Sequence, residues 1–520
     1  MDTKALRQKI LDLAIRGKLV PQDPNDEPAE VLLERIREQK QQMFKEGKLK
    51  KKDIKNDTII FKGEDNLHYE KFQDGTVKCI EDEIPFEVPE GWCWARVRDI
   101  AMVKGGKRLP KGASFSEEIT THAYIRVTDM KNHSVNISNL RYISDEIFSA
   151  IKNYTIAKDD LYVTIAGTIG VVGEIPDKLD GMNLTENAVK ITNIAINKSF
   201  LCIILQTDFV QQQFQDKTHQ VAMPKLALER ILSTLIPICP YVQQLQIVDR
   251  FQICDNFLST IDTEKEELQK IVSLSKYKIL DLAIRGKLVP QDPNDEPASV
   301  ILERIRTEKE ELIKQGKIKR DKKESVIFKG DDNSYYEKIG NDVTCIDDEI
   351  SFDIPDTWSW TRISTITDIT MGSSPKSQDI CNDNQYIEFH QGKIYFSKKT
   401  LMKSNQYTRK TTKLAPKQSV LLCVRAPVGE LNITDRDICI GRGLASIKSL
   451  GNINEEFIFY WLHPYKTYLV NQSTGSTFSA ITSDTVRKIL IPLPPLMEQK
   501  EILDKIQKVF TLFENLETVN

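Results

Sequence analysis

Apolar residues recur at spacings of three and four from Phe251 through Cys254, Leu258, Ile261, Lys265 and Leu268 to Val272, a heptad seam interrupted by a single lysine. Ile502, Ile506, Val509, Phe513 and Leu516 form a second seam near the C terminus. Neither stripe can stay in water, and burying each against the other predicts a pseudo-twofold, antiparallel helix pair. Shorter amphipathic helices are expected from Ala29 and Ala298, carrying Leu33, Ile36 and Met43 in one case and Leu302, Ile305 and Leu312 in the other. Each follows the helical stretch ILDLAIRGKL and the turn VPQDPNDEP, rich in Pro, Asn and Asp. Between the helical segments the pattern shortens to alternating runs, YIRVTDM from Tyr124 and YIEFHQGKIYF from Tyr386, and to the apolar runs beginning at Leu161 and Val420. These read as strands between glycine-containing turns.

The patterns occur twice because the sequence does. KILDLAIRGKLVPQDPNDEPA runs from Lys9 to Ala29 and again, letter for letter, from Lys278 to Ala298. The likeness continues from Val31–Lys51 to Val300–Arg320 and from Trp92-x-Trp94-x-Arg96 to Trp358-x-Trp360-x-Arg362. After a long divergent stretch, IPICPYVQQLQI from Ile236 finds its partner in IPLPPLMEQKEI from Ile491. A within-chain repeat fixes the architecture before any local element is assigned: an α+β chain in which two mixed α/β inserts are separated by coiled-coil helical spacers. The expected divisions are a helical region at 1–57, a hairpin-like connector at 58–85, a first insert at 86–238, a central helical region at 239–324, a second connector at 325–350, a second insert at 351–493 and a C-terminal helix at 494–520. The repeat also predicts chain ends that lie close together. Identity that includes the surface-prone Gln22, Asp23, Asn25, Asp26 and Glu27 exceeds what packing requires. Recent recombination explains it, and so does docking of one partner polypeptide at both copies; the two are compatible.

Composition changes the picture little. At 520 residues, 40% hydrophobic and 28% charged, the chain reads as a globular protein of several domains, expected in the cytoplasm because it has neither a long apolar run nor a signal-peptide pattern. Nine scattered cysteines without a CxxC pair suit a reducing compartment and offer no zinc spacing. Charge is more telling locally than in total, where it is −3. Residues 352–495 hold 17 Lys+Arg against 12 Asp+Glu, whereas 86–240 are balanced at 17 each. Basic clusters follow the short helices, Lys45 to Lys55 in one copy and Lys314 to Lys323 in the other, either to track a phosphate backbone or as solvated helix ends. No phosphate-binding loop or dinucleotide fingerprint occurs, Pro494-Pro495 lacks the context of an adenine methyltransferase motif, and GEIPDK from Gly173 reads as a turn, so the chain is not expected to be an enzyme.

The inserts share an outline and differ in polar side chains, the pattern of two homologous readers with different targets. Glycine loops open both, VKGGKRLPKG around Gly106 and TMGSSPKSQ around Gly372, where backbone N–H groups could approach phosphates. Candidate DNA contacts are Lys107, Arg108, Lys111, Arg126 and Lys131 in the first insert, and Ser373, Lys376, His390, Gln391, Arg409, Lys410, Arg425 and Arg442 in the second. Candidates for partner docking are Arg16, Lys18, Gln22 and Asp23, with their copies Arg285, Lys287, Gln291 and Asp292.

The twice-written block, CVRAPVGE (Cys423–Glu430), ICIGRGLASI (Ile438–Ile447) and IPLPPLMEQKEI together resemble the specificity subunits of type I restriction–modification systems over nearly the whole chain. The resemblance implies that each insert is a target recognition domain reading one half of a bipartite, asymmetric site in double-stranded DNA. It implies that the helices hold two copies of the adenine methyltransferase subunit, joined by restriction and translocase subunits. S-adenosylmethionine and ATP then belong to those partners, with no cofactor on this chain. A helix from about Pro240 to Val272, roughly 50 Å long, would set two readers about one duplex turn apart, ~34–36 Å. Departures are Cys239 in place of proline and Gln243 in place of glutamate in the first copy, and a short C-terminal helix ending at Asn520, which leaves a truncated C terminus open. The rival readings are a protein-interaction scaffold and a stand-alone DNA-modifying enzyme.

Overall fold

The computed structural model describes residues 1–215, 225–316, 324–473 and 480–519, arranged as two compact units, Met1–Glu264 and Lys265–Asn520. Most of the second basic cluster, Lys317 to Lys323, lies outside the described residues. In the first unit, helix Thr3–Ile15 is capped by Asp2, whose carboxylate accepts the Ala5 N–H at 3.0 Å. It stops at Gly17, where φ is +63° and an added Cβ would lie 2.4 Å from Pro89 Cγ. Gly286 repeats the device at +64° and 2.5 Å from Pro355, so handedness and close packing both demand glycine. Helices Ala29–Lys45 and Ala298–Lys314 begin where the sequence pattern places them.

Helix Tyr241–Ile284 is a single run of 44 residues, roughly 66 Å long. Its seam is correctly phased: Leu258 and Val272 are buried and the other seam positions half-buried, while Phe257, Ile271 and Leu274 off the seam are exposed. The second seam holds from Ile502 to Phe513, and Leu516 is exposed. The partner of the first seam's N-terminal half corrects the expectation. In the first unit it is the repeated helix Thr3–Ile15, through Thr3 to Asp262 and Arg7 to Asp255, both at 2.5 Å. In the second unit the C-terminal half of the long helix pairs with Leu496–Val519 through Lys276 and Glu517 at 3.2 Å. Arg7 and Lys276 are equivalent residues of the repeat, and each reaches two positions seven residues apart: Asp255 and Asp262 for one, the Phe510 ring and Glu517 for the other. The physical reason is the repeat itself, which supplies a copy of the ILDLAI helix to each seam.

Each insert contains the same pair of sheets. In the first, the strands run Val172–Glu174, Leu161–Thr164, Ala188–Thr192, Met102–Gly105 in one sheet and Thr155–Ile156, Met182–Leu184, His122–Ile125, Arg141–Ile143 in the other. In the second, the order is Leu431–Thr434, Ser419–Cys423, Leu444–Ser449, Thr367–Met371, and Leu414–Ala415, Ile438–Ile440, Ile387–His390, Tyr407–Thr408, with Ile380–Cys381 added at the edge. Both second sheets contain one parallel pair among antiparallel ones, at Leu184 beside Ile125 and Ile440 beside His390. Apolar helices Lys198–Leu205 and Glu455–Leu462 lie in the cores of their respective units.

Residues 58–85 and 325–350, expected as hairpins, carry a third strand each. These meanders are held by the arginine of the repeated Trp-x-Trp-x-Arg. Buried Arg96 forks onto Glu70 at 2.8 Å and Glu83 at 2.8 Å and donates to the Ser233 carbonyl; Arg362 does the same with Glu337, Glu349 and the Lys488 carbonyl. Among the described residues, no helix is long and apolar enough to cross a membrane.

Candidate nucleic-acid interface

Three loops converge at the end of each insert's parallel strand pair. In the first insert, Lys107 donates its backbone N–H to the Leu184 carbonyl at 2.9 Å, Gly106 donates to Ala188 at 3.1 Å, and Ile165 donates to Asn187 at 2.8 Å. In the second, the same bonds join Ser373 to Ile440 at 3.0 Å, Gly372 to Leu444 at 2.9 Å and Val424 to Gly443 at 2.9 Å. The glycines are required by approach: a Cβ at Gly106 would sit 2.0 Å from the Thr185 carbonyl oxygen, and one at Gly372 would sit 2.1 Å from that of Gly441. The N–H groups of Gly106 and Gly372 are occupied within the fold, so any approach of these loops to phosphates falls to their other residues.

The side chains carried by these loops are mostly exposed. Lys107, Arg108 and Lys111 are at the surface in the first insert, with the Lys107 ammonium 5.5 Å from the centre of the Tyr154 ring. Arg126 is half-buried and committed to Asp129, whose carboxylate accepts from it at 2.7 Å, and to the Asn139 carbonyl. Lys131 is exposed on the hairpin Met130–Val135 beside Val172–Glu174, at the sheet edge opposite to the Lys107 loop. Glu186 is a residue that the sequence reading missed. It stands between the loops, accepting from Thr185 Oγ1 at 3.1 Å, with Arg108 at 3.6 Å and beside the Tyr124 hydroxyl, which donates to the Lys107 carbonyl at 2.7 Å. Burial pushes the Tyr124 phenol up to about 12, so it stays a donor.

In the second insert Ser373, Gln391, Arg425 and Arg442 meet around Gly441–Gly443, and the 409–412 segment joins them through Thr412, which donates to the Ser373 carbonyl. Arg409 lies over the Tyr386 ring at 5.8 Å, and Lys410 is exposed beside it. Lys376 is exposed further along the same loop. His390 is a correction. It is 1% exposed, its ring nitrogens have no hydrogen-bond partner among the described residues, and its ring meets Tyr395 edge-on at 5.5 Å. Burial lowers its pKa to about 4. Phe389 and His390 are both buried in a strand that the sequence pattern read as half-buried.

The docking candidates have structural work inside their own units. Arg16 pairs with Asp12 at 2.7 Å and lies over Phe86, as Arg285 does with Asp281 and Phe352. Gln22 donates to the Gly17 carbonyl at 2.8 Å and accepts from the Trp92 indole at 3.0 Å, while Asp23 and Asp292 each close their own turn by accepting from Asn25 and Asn294. Lys18 and Lys287 are exposed. The Trp92 indole also donates to Gln243, which in turn donates to Asp26 at 3.0 Å. In the second unit, 2%-exposed Glu498 takes that place, accepting from Trp358 at 2.8 Å and Gln291 at 2.6 Å. Part of the 21-residue identity is therefore a requirement of the scaffold: Gln22 and Asp26 in the first unit, and Gln291 in the second, bind the turn to the tryptophan cluster that starts each insert.

A doubled, mixed α/β reader with its variable side chains on one loop cluster is the class this fold and site define. The family described as the type I restriction modification DNA specificity domain matches twice, over residues 89–271 and 355–520. The chain belongs to that family: it is a DNA-binding specificity subunit, the non-catalytic recognition module that works with the modification and restriction subunits of a type I restriction–modification system. The EcoAI and EcoEI specificity subunits of Escherichia coli are 24% and 25% identical to it, each alignment covering 99% of this chain and 90% of the relative. A solved chain from work on complex assembly and conformational transition of the type I R-M system matches at TM-score 0.54 and 20% identity, over 84% of this chain and 94% of its own. That likeness bears on the fold alone.

Proposed function

We propose that the two inserts, 86–238 and 351–493, read two unlike half-sites of one asymmetric DNA sequence, and that the two repeated blocks dock two copies of one methyltransferase subunit. The observation that carries this reading is the pair of inserts: eight strands in matching order and matching loop bonds, with different polar side chains on the loops. A shared frame with exchanged side chains suits the separation between phosphate contacts, which position, and base contacts, which specify. Lys107, Arg108, Lys111, Ser373, Gln391, Arg409, Lys410, Arg425 and Arg442 are the contacts we assign to the DNA, with Lys131 and Lys376 as flanking phosphate contacts. Lys18 and Lys287 are the docking candidates whose side chains are exposed.

Salt separates this reading from a protein-only scaffold. Duplex binding by the complex of this chain with its methyltransferase partner should weaken steeply as salt rises, by ~10³-fold or more between 50 and 200 mM if six or more phosphates are neutralised. Binding that is absent, or flat with salt, would contradict it.

A further inference from the structure

The two inserts carry opposite charges at one equivalent position. In the parallel pairs, Leu184 lies beside Ile125 and Ile440 beside His390, and the carbonyls of Leu184 and Ile440 accept the matching loop bonds from Lys107 and Ser373. Two residues beyond those strand ends stand Glu186 and Arg442. The turn is fixed on both sides: Gly106 and Gly372 bond to Ala188 and Leu444 after it, and Thr185 and Gly441 bond to Ile125 and His390 before it. The same backbone thus presents an acceptor-only side chain in one insert and a donor-only one in the other.

The fold leaves both side chains at least partly exposed. Arg442 is exposed, with no acidic partner among the described residues, and flanking glycines hold its backbone against the neighbouring loop, where a Cβ at Gly443 would be 2.2 Å from the Gln391 carbonyl oxygen. The Glu186 Oε2 is positioned by Thr185, leaving Oε1 to Arg108, whose side chain is 76% exposed, so that pair is weak and solvent-screened. Lys225 donates to the Glu186 backbone carbonyl at 3.3 Å, and Lys107 and Arg108 stand exposed on the neighbouring loop. On a surface that attracts phosphate a carboxylate is unfavourable, and the DNA groups that favour it are base amino groups.

Resting on the reading of the inserts as DNA readers, we propose that Glu186 and Arg442 are equivalent base-reading residues of opposite polarity: Glu186 accepts from a cytosine amino group in one half-site, and Arg442 donates to the O6 and N7 of a guanine in the other. These are the major-groove pairings that a carboxylate and a guanidinium make.

The test uses the complex of the full chain with its methyltransferase partner, on duplexes in which each position of the native site is substituted in turn. Arg442→Ala should lose discrimination at one G·C pair of one half-site, roughly 5- to 150-fold, leaving other positions unchanged. Glu186→Ala should do the same at one C·G pair of the other half-site. Arg442→Met and Glu186→Leu keep most of the side-chain volume while removing the donor or acceptor, and should give the same single-position losses if the alanine variants fold poorly. Uniform weakening with a reduced salt slope would overturn the assignment, since that marks a phosphate contact. Loss of the same C·G discrimination in Arg108→Ala would also overturn it, because Glu186 would then act through Arg108. A native complex with no sequence discrimination at all is a separate outcome: it overturns the reader reading itself.

Discussion

Gln243 and Glu498 hold equivalent places under the tryptophans that open the inserts, and they do so with different chemistry. Burial pushes the Glu498 carboxyl above the ordinary carboxylate range, outweighing the hydrogen bonds from Trp358 and Gln291, with Asp295 adding repulsion. A carboxyl whose folded pKa exceeds its unfolded one binds its proton more tightly in the folded chain. The contribution of this group to the second unit is therefore full below the ordinary range and is lost as pH rises through the raised value. Glu498→Gln should raise Tm at neutral pH, by ~2–4 °C for each kcal/mol of strain removed, and leave it unchanged in acid. The added amide can donate to Asp295, as Gln243 does to Asp26. A Tm difference independent of pH, followed by calorimetry, would count against this account. The glutamine-for-glutamate difference was visible in the sequence, but its role was not, because Gln22, Trp92 and Gln243 meet only in the fold. Glu186 was missed for a similar reason: its match to Arg442 needs the register of a parallel pair two or three residues long. His390 was a candidate on the assumption of a half-buried strand, and the strand that carries it is buried on both faces.

Helices were legible because they are long and their period is unambiguous: the starts at Ala29 and Ala298 and the phase of both seams follow from apolar spacing. What covers the first half of the first seam was not legible, since a stripe records that it is buried and not by which partner. The strand pairings of the inserts were out of reach, being short and joined across long loops. The repeated Trp-x-Trp-x-Arg marked its arginine without giving its purpose. Burial pushes the Glu70 carboxyl up, and the Arg96 fork more than offsets this, holding it below the ordinary range. Removing only the cation should leave a buried carboxylate uncompensated, so Arg96→Met should cost the first unit ~3–5 kcal/mol, while pairing it with Glu70→Leu should recover most of the loss. Denaturant unfolding decides it: a single variant within 1 kcal/mol of the native chain, or a double variant no better than the single, would show that the fork does not hold the meander.

At the scale of the whole molecule, the duplication states the logic: repeated helices and tryptophan clusters form the constant part, and two inserts with one topology and different loop chemistry form the variable part. That division was legible in the sequence, because identity and divergence alternate along it. The central claim is that each insert reads its own half-site independently. Methylome sequencing of cells carrying this chain with residues 86–238 replaced by another specificity subunit's first insert, beside cells carrying the native chain, tests it most directly. One half-site should change completely, while the other half-site and the unread gap stay as they were. Changes in both half-sites, or in neither, would contradict the account.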